Sequence, residues 1–209
     1  MDLRGMTVTE FAERLASGAA TPGGGSASAL AGAMAASLVA MVARNTASNP
    51  SFADRAPALE EIVTEADRLR EELVGLVDED AAAFDRVMAA FRLPRETPEL
   101  KSVRSREIQA SYKAAVEPPA RVCRDAARVL ALAGLVAEQG NPNAVSDAGV
   151  AALLASSALA GAALNVEINL GSIDDAGYRA KTAETLQEVR AEGARLRDEA
   201  LATVRAVLG

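Results

Sequence analysis

The first group in this sequence that could do chemistry is a carboxylate on an apolar helical stripe. Asp80 lies four residues after Leu76, seven after Leu73 and four before Phe84, whereas Glu71, Asp78 and Asp85 follow one another at seven-residue steps on the opposite side. This spacing places Asp80 facing the core, where an ionised oxygen pair is costly unless hydrogen bonds or a cation compensate it. Two readings follow: a buried Asp that ties its helix to a neighbour or to an Arg, and a general base. The chain contains no histidine, which removes Ser-His-Asp and Cys-His catalysis and the usual zinc ligand sets. Acid and base work therefore falls to Asp, Glu, Lys or Tyr. Each needs a shifted pKa to operate near neutrality, and burial is the available lever.

Three further clusters accompany it. Gly23, Gly24 and Gly25 followed by Ser26 stand ahead of an apolar run; glycines let backbone approach a ligand closely, and the unpaired amides of a helix start favour an anion or a carbonyl oxygen. The plainer reading is a glycine turn with Ser26 as N-cap. Asn141, Asn143, Ser146 and Asp147 concentrate polar groups on a turn, and Asn165 and Asn169 follow one helical turn apart. Asparagine amides suit the donor and acceptor edge of a heterocycle, and they equally suit caps and helix cross-links. Lys101, Arg104, Arg106 and Lys113 form one mildly basic helix, a solvated face by default and an offset for substrate carboxylates otherwise.

Helices must position all of these groups, because the sequence carries no strand signal. Thr7-Val8-Thr9-Glu10 reads as a capping box, with Val8, Phe11, Ala12 and Leu15 on one face and Gly18 as the stop. Ser26 to Arg44 and Ala148 to Leu164 are nearly all Ala, Leu, Met, Val, Ser and Gly, which predicts two helices buried on every side and packed face to face, the second carried on to Leu170. The apolar spacing from Leu59 predicts one long helix over 57–91. Thr97-Pro98 opens another that ends before Pro118-Pro119, a further helix covers 120–139, and a last one runs from about Asp175. The result is an all-α, single-domain helical bundle over 1–209 with two buried Ala-rich central helices. Only 3% of residues are aromatic, so its core is built from small side chains.

A formal charge of −7 argues against nucleic acid as a partner, since no basic stripe offsets it. The Ala and Ser content of the two apolar runs argues against membrane insertion. Cys123 is the sole cysteine and reads as a small buried hydrophobe; with no leader pattern at residues 1–6, a cytoplasmic protein is expected.

Four stretches in series carry a resemblance: Phe11–Leu15 leading to Thr21-Pro22-Gly23-Gly24-Gly25-Ser26; Asp80-Ala81-Ala82-Ala83-Phe84; Arg106 through Pro119; and Gly140-Asn141-Pro142-Asn143-Ala144-Val145-Ser146-Asp147 with Asn165-Val166-Glu167-Ile168-Asn169-Leu170. Together they resemble the cyclodeaminase domain of formiminotransferase-cyclodeaminase and the stand-alone methenyltetrahydrofolate cyclohydrolases. The resemblance implies a helical homodimer whose folate pocket uses Asp80 and Asp147 as acidic groups and Gly23 to Ser26, Asn141, Asn143 and Asn165 as walls. In that pocket Asp80 is expected to be the base, with Asp147 or Lys101 handling a second proton and Ser146 lying beside the substrate. No cofactor beyond the tetrahydrofolate substrate and no metal is expected. Three functions stay open: hydrolysis of 5,10-methenyltetrahydrofolate to 10-formyltetrahydrofolate, cyclodeamination of 5-formiminotetrahydrofolate, and a non-catalytic helical dimer scaffold.

Overall fold

The computed structural model describes residues 2–209, and every regular element among them is helical. In chain order these are α1 (Val8–Ala16), α2 (Gly24–Ala47), α3 (Ala56–Phe91), α4 (Pro98–Gln139), α5 (Val145–Leu170) and α6 (Ala176–Leu208), with short 3-10 turns at Pro50–Phe52 and Pro142–Ala144. Local chemistry sets the starts. The Thr7 hydroxyl accepts the Glu10 amide at 3.2 Å while the Thr7 amide donates to the Glu10 carboxylate at 2.7 Å, so the capping box forms. Thr97 and Asp175 cap α4 and α6 by accepting the amides of Leu100 and Tyr178. Gly18, at φ 76°, supplies the left-handed residue that turns the chain out of α1. Of the stripe expected along α1 only Phe11 is buried.

One hydrophobic cluster draws on all six helices. At its centre α2 and α5 run antiparallel: Gly24 lies against Asn165, Gly32 against Ala158, and Gly140, just before α5, against Val42. Around these contacts Ala29, Ala36, Val39 and Ala43 of α2 and Ala151, Ala155, Ala158 and Ala162 of α5 are without solvent exposure. A Cβ on Gly161 would stand 2.4 Å from the Ser28 hydroxyl, so the glycine is what lets the two backbones approach this closely. Volume comes from α3, whose Leu59, Leu69, Leu73 and Leu76 are fully buried. The apolar side of α6 packs on its own chain, through Leu186, Gly193, Ala200 and Val204 against α4 and α5.

Two expectations are corrected. The helix predicted to end before Pro118-Pro119 continues through both prolines, so the separate helix expected from 120 is the second half of α4. A proline lacks the amide that would bond the carbonyl four residues back, which leaves the Ala115 carbonyl without its helical partner at Pro119. The side-chain amide of Asn169 donates to that oxygen at 2.9 Å, and tertiary structure thereby satisfies what local propensity penalises. The second correction concerns the Ala-rich helices, which are not buried on every side. Met34 and Met41 on α2, and Val150, Leu153, Leu164 and Ile168 on α5, remain exposed, because α3, α4 and α6 cover only the other faces.

Candidate active site

Asp80 reaches the start of α2 from the middle of α3. Ser26, fully buried in the first turn of α2, places its hydroxyl 3.0 Å from Asp80 Oδ2 and 3.0 Å from the Val77 carbonyl, and its amide also donates to the carboxylate. Ser26 is therefore not the N-cap; Gly23 is, and Ser26 acts as a clamp between α2 and α3. Gly25 permits this approach. A Cβ there would fall 2.1 Å from Asp80 Oδ1, inside any allowed contact. Burial raises the Asp80 carboxyl above its ordinary value, and the two Ser26 hydrogen bonds only partly offset that rise. The group is thus a stronger base than a free aspartate, and it sits at the positive end of a helix where its charge is tolerated.

A cavity of about 520 Å³ opens beside it, a volume suited to a small organic ligand. Its floor is Asp80 with Gly23, Gly24, Gly25 and Asn165. The amides of Gly24 and Gly25 belong to the first turn of α2 and have no intrahelical acceptor. Asn165 donates one N–H of its side-chain amide to the Gly161 carbonyl at 2.8 Å, which leaves its second N–H and its carbonyl oxygen beside Gly24. From the floor an apolar corridor leads outward along Phe84, Val87, Met88, Phe91 and Tyr112. Phe91 and Tyr112 meet edge to face with centroids 6.1 Å apart, and the Arg104 guanidinium covers Phe91 at 5.5 Å while donating to its carbonyl. The arrangement can hold a flat, mainly apolar molecule with a polar head against a carboxylate and two amides. Among the described residues no group of three His, Cys, Asp or Glu side chains could hold a metal ion.

The structure divides the residues singled out from sequence. Asp80, Gly23, Gly24, Gly25 and Asn165 line the cavity, and Ser26 lies directly behind Asp80. Asn141, Asn143, Ser146 and Asp147 do not; they stand at the opposite end of α5, about 27 Å away at 1.5 Å per helical residue. There the Asn141 amide donates to Thr46 Oγ1 at 2.9 Å, and the Asn141 side chain accepts the Asn143 amide at 3.0 Å. Lys101 is exposed near the start of α4 and does not line the cavity either. Sequence reasoning missed the corridor, having read Phe84 and Phe91 as core. A signal was available: with four Phe and two Tyr in the chain, three of these scarce rings, Phe84, Phe91 and Tyr112, gather at one cavity.

The chain is similar to known proteins in sequence and in fold. Residues 7–188 match the family model described as formiminotransferase-cyclodeaminase. The chain is 40% identical over 199 residues to methenyltetrahydrofolate cyclohydrolase of Methylorubrum extorquens, covering 95% of this chain and 96% of the relative. It is 30% identical over 182 residues to formimidoyltransferase-cyclodeaminase of Gallus gallus, covering 87% of this chain but only 34% of that longer protein. The crystal structure of formiminotetrahydrofolate cyclodeaminase from Thermotoga maritima superposes with a TM-score of 0.89 at 29% identity, over 99% of this chain and all of the other. With a helical architecture, a carboxylate-floored cavity and full-length likeness in agreement, the chain belongs to the formiminotransferase-cyclodeaminase family.

Proposed function

We propose that this protein hydrolyses 5,10-methenyltetrahydrofolate to 10-formyltetrahydrofolate at the cavity floored by Asp80. The observation that carries the reading is the Asp80 carboxylate itself, raised by burial and held by Ser26 at the closed end of a cavity with amide donors beside it. The substrate's bridging carbon is an amidinium-like cation. An ionised Asp80 stabilises that cation and takes a proton from the attacking water. The water oxygen bonds to carbon, the bond from carbon to N5 breaks, N5 gains a proton, and the second hydroxyl proton leaves as the formyl C=O forms. Water balances the reaction, so no further cofactor is needed.

The pterin head lies on Gly23 to Gly25 and Asn165, and the aminobenzoyl ring lies along Phe84, Phe91 and Tyr112. A second group must serve N5; Asp147 and Lys101 are the assignments from sequence, and neither reaches the floor from within one chain. The active form is a homodimer in the cytoplasm.

A second reading, cyclodeamination of 5-formiminotetrahydrofolate, draws support from the likeness to the Thermotoga maritima cyclodeaminase. It uses the same pocket, with N10 attacking and ammonia leaving. Stronger identity along the full length of the Methylorubrum extorquens cyclohydrolase favours hydrolysis. The test is spectrophotometric. Loss of methenyl absorbance on adding enzyme supports hydrolysis, its growth from the formimino compound supports deamination, and neither change rejects both.

A further inference from the structure

Buried side-chain oxygens in a folded chain are hydrogen-bonded as a rule, so an exception beside a cavity carries information. Among the described residues four polar side chains are buried: Thr21, Ser26, Ser28 and Thr46. Three of them are engaged by the fold. Ser26 bonds the Val77 carbonyl and Asp80, and Ser28 donates to the Gly24 carbonyl at 2.7 Å. Thr46 donates to the Val42 carbonyl at 2.7 Å and accepts the Asn141 amide at 2.9 Å. Thr21 differs: it is only 8% exposed, and its hydroxyl bonds no group among the described residues.

The local use for such a hydroxyl is passed over. A threonine just ahead of a helix commonly caps its first amides, yet α2 starts behind Gly23 with no side-chain cap. The Thr21 backbone is held by other means, since its carbonyl accepts Arg14 Nε at 3.2 Å and so ties the segment to α1. Nor is the oxygen walled in. Among the described residues the one side-chain oxygen that is sealed from solvent without a hydrogen bond belongs to Asp67, so the Thr21 hydroxyl touches open space. The cavity that Thr21 lines, beside Gly23, Gly24, Gly25 and Asp80, provides that space.

What this hydroxyl binds follows from what its neighbours cannot do. The amides of Gly24 and Gly25 only donate, and an ionised Asp80 only accepts. A hydroxyl donates one hydrogen and accepts through two lone pairs, so it suits the edge of a heterocycle where a ring carbonyl adjoins an N–H. A pterin has such an edge, and an aminobenzoyl ring does not. Resting on the function proposed above, we infer that Thr21 is a substrate-binding residue whose hydroxyl hydrogen-bonds the carbonyl and N–H edge of the pterin head and fixes its orientation relative to Asp80. That edge is remote from the reacting carbon and is bound alike in the ground state and the transition state, so the contribution of Thr21 falls on KM more than on kcat. Because no protein group partners the hydroxyl, the fold does not depend on it.

Thr21→Val tests this, because valine keeps the branched shape and removes the hydroxyl. KM for 5,10-methenyltetrahydrofolate should rise about five- to tenfold, the share of one neutral hydrogen bond, with kcat changing less. The Tm of the free protein should stay level or rise. A hydroxyl that served the fold would lower Tm on removal, and that result overturns the inference, as does a KM within about twofold of wild type. Thr21→Ser returns a hydroxyl without the methyl group and should recover most of the lost affinity; a serine variant no better than valine is the contrary result. A readout free of turnover accompanies these. Calorimetric titration with 5-formyltetrahydrofolate, which carries the same pterin edge, should show a matching loss of affinity in Thr21→Val. Equal binding by wild type and Thr21→Val overturns the inference. If wild type binds this folate, Thr21→Val binds it more weakly, and wild type turns over neither the methenyl nor the formimino compound, the reaction proposed above fails and the role of Thr21 stands. No binding by wild type overturns both.

Discussion

A single methyl group at residue 25 tests the placement of the base more sharply than removing the base does. Gly25→Ala puts a Cβ 2.1 Å from Asp80 Oδ1 and 2.5 Å from its Cγ, against an ordinary contact distance of at least 3.4 Å. The carboxylate must therefore retreat by more than 1 Å, which pulls it off the Ser26 hydroxyl and amide. Displacement of a reacting group by about 1 Å costs on the order of 100-fold in rate. The cavity walls from Phe84 to Tyr112 are untouched, so KM should change much less than kcat. Stability shifts by two opposed amounts: alanine gains about 1 kcal/mol over glycine in a helix, and losing hydrogen bonds to a charged group costs about 1.5–3 kcal/mol. The net is a modest destabilisation, a fall of a few degrees in Tm for a chain of this size. Methenyl absorbance gives kcat and KM, and circular dichroism gives Tm. A variant with kcat within about threefold of wild type would refute the claim that the glycine exists to seat Asp80.

Asp80→Asn should lower kcat by about 100- to 10,000-fold and yet raise thermal stability at neutral pH. Burial makes the native carboxyl hold its proton to higher pH than the unfolded chain does, so wild-type stability falls as pH rises through that interval and stays lower above it. The gain in Tm should therefore vanish in acid below the unfolded value; an equal gain at all pH values contradicts the assignment. Asn169→Ala should cost about 1–3 kcal/mol by stranding the Ala115 carbonyl, and less in a Pro119→Ala background, where a new amide can take its place; equal costs in both backgrounds, measured by denaturant titration, would argue against the bond. Gly134→Ala, in the interior of α4 and meeting only Ala200 Cβ at 3.9 Å, should stabilise by about 0.5–1 kcal/mol in the same titration. Cys123, buried with its thiol pushed up to about 12, should resist a thiol reagent until the chain unfolds.

Helix periodicity and caps made most of the fold legible. The stripe from Leu59 to Phe91 placed Asp80 on the inner side of α3, and Thr7, Thr97 and Asp175 announced three starts that the structure contains. What misled was a local rule overridden by a distant partner. Nothing near Pro118-Pro119 reveals that Asn169, fifty residues on, will satisfy the freed carbonyl. The outer faces of α2 and α5 were illegible for another reason: an apolar stripe reads the same whether a neighbouring helix or nothing in the chain covers it. For the site, type and spacing identified Asp80, the glycines and Asn165. The distance from Asn165 to Asp147 depends on the direction in which α5 runs, and the corridor depends on which side of α3 and α4 stays uncovered, facts that appear only in three dimensions.

The alanine seam between α2 and α5 makes this molecule easy to damage by addition and hard to damage by subtraction. The buried alanines leave little to trim, so truncation lesions fall on the larger buried side chains outside the seam, such as the leucines of α3, Leu130 and Leu132 of α4, and Ile173. One added methyl at mid-seam has nowhere to go except between the backbones. Because the same two rods hold Gly24 beside Asn165 at their tip, a wedge at their middle would splay the ligand chamber several turns away. Random mutagenesis should then yield impaired but folded variants clustered along the seam, far from any residue that could touch the substrate.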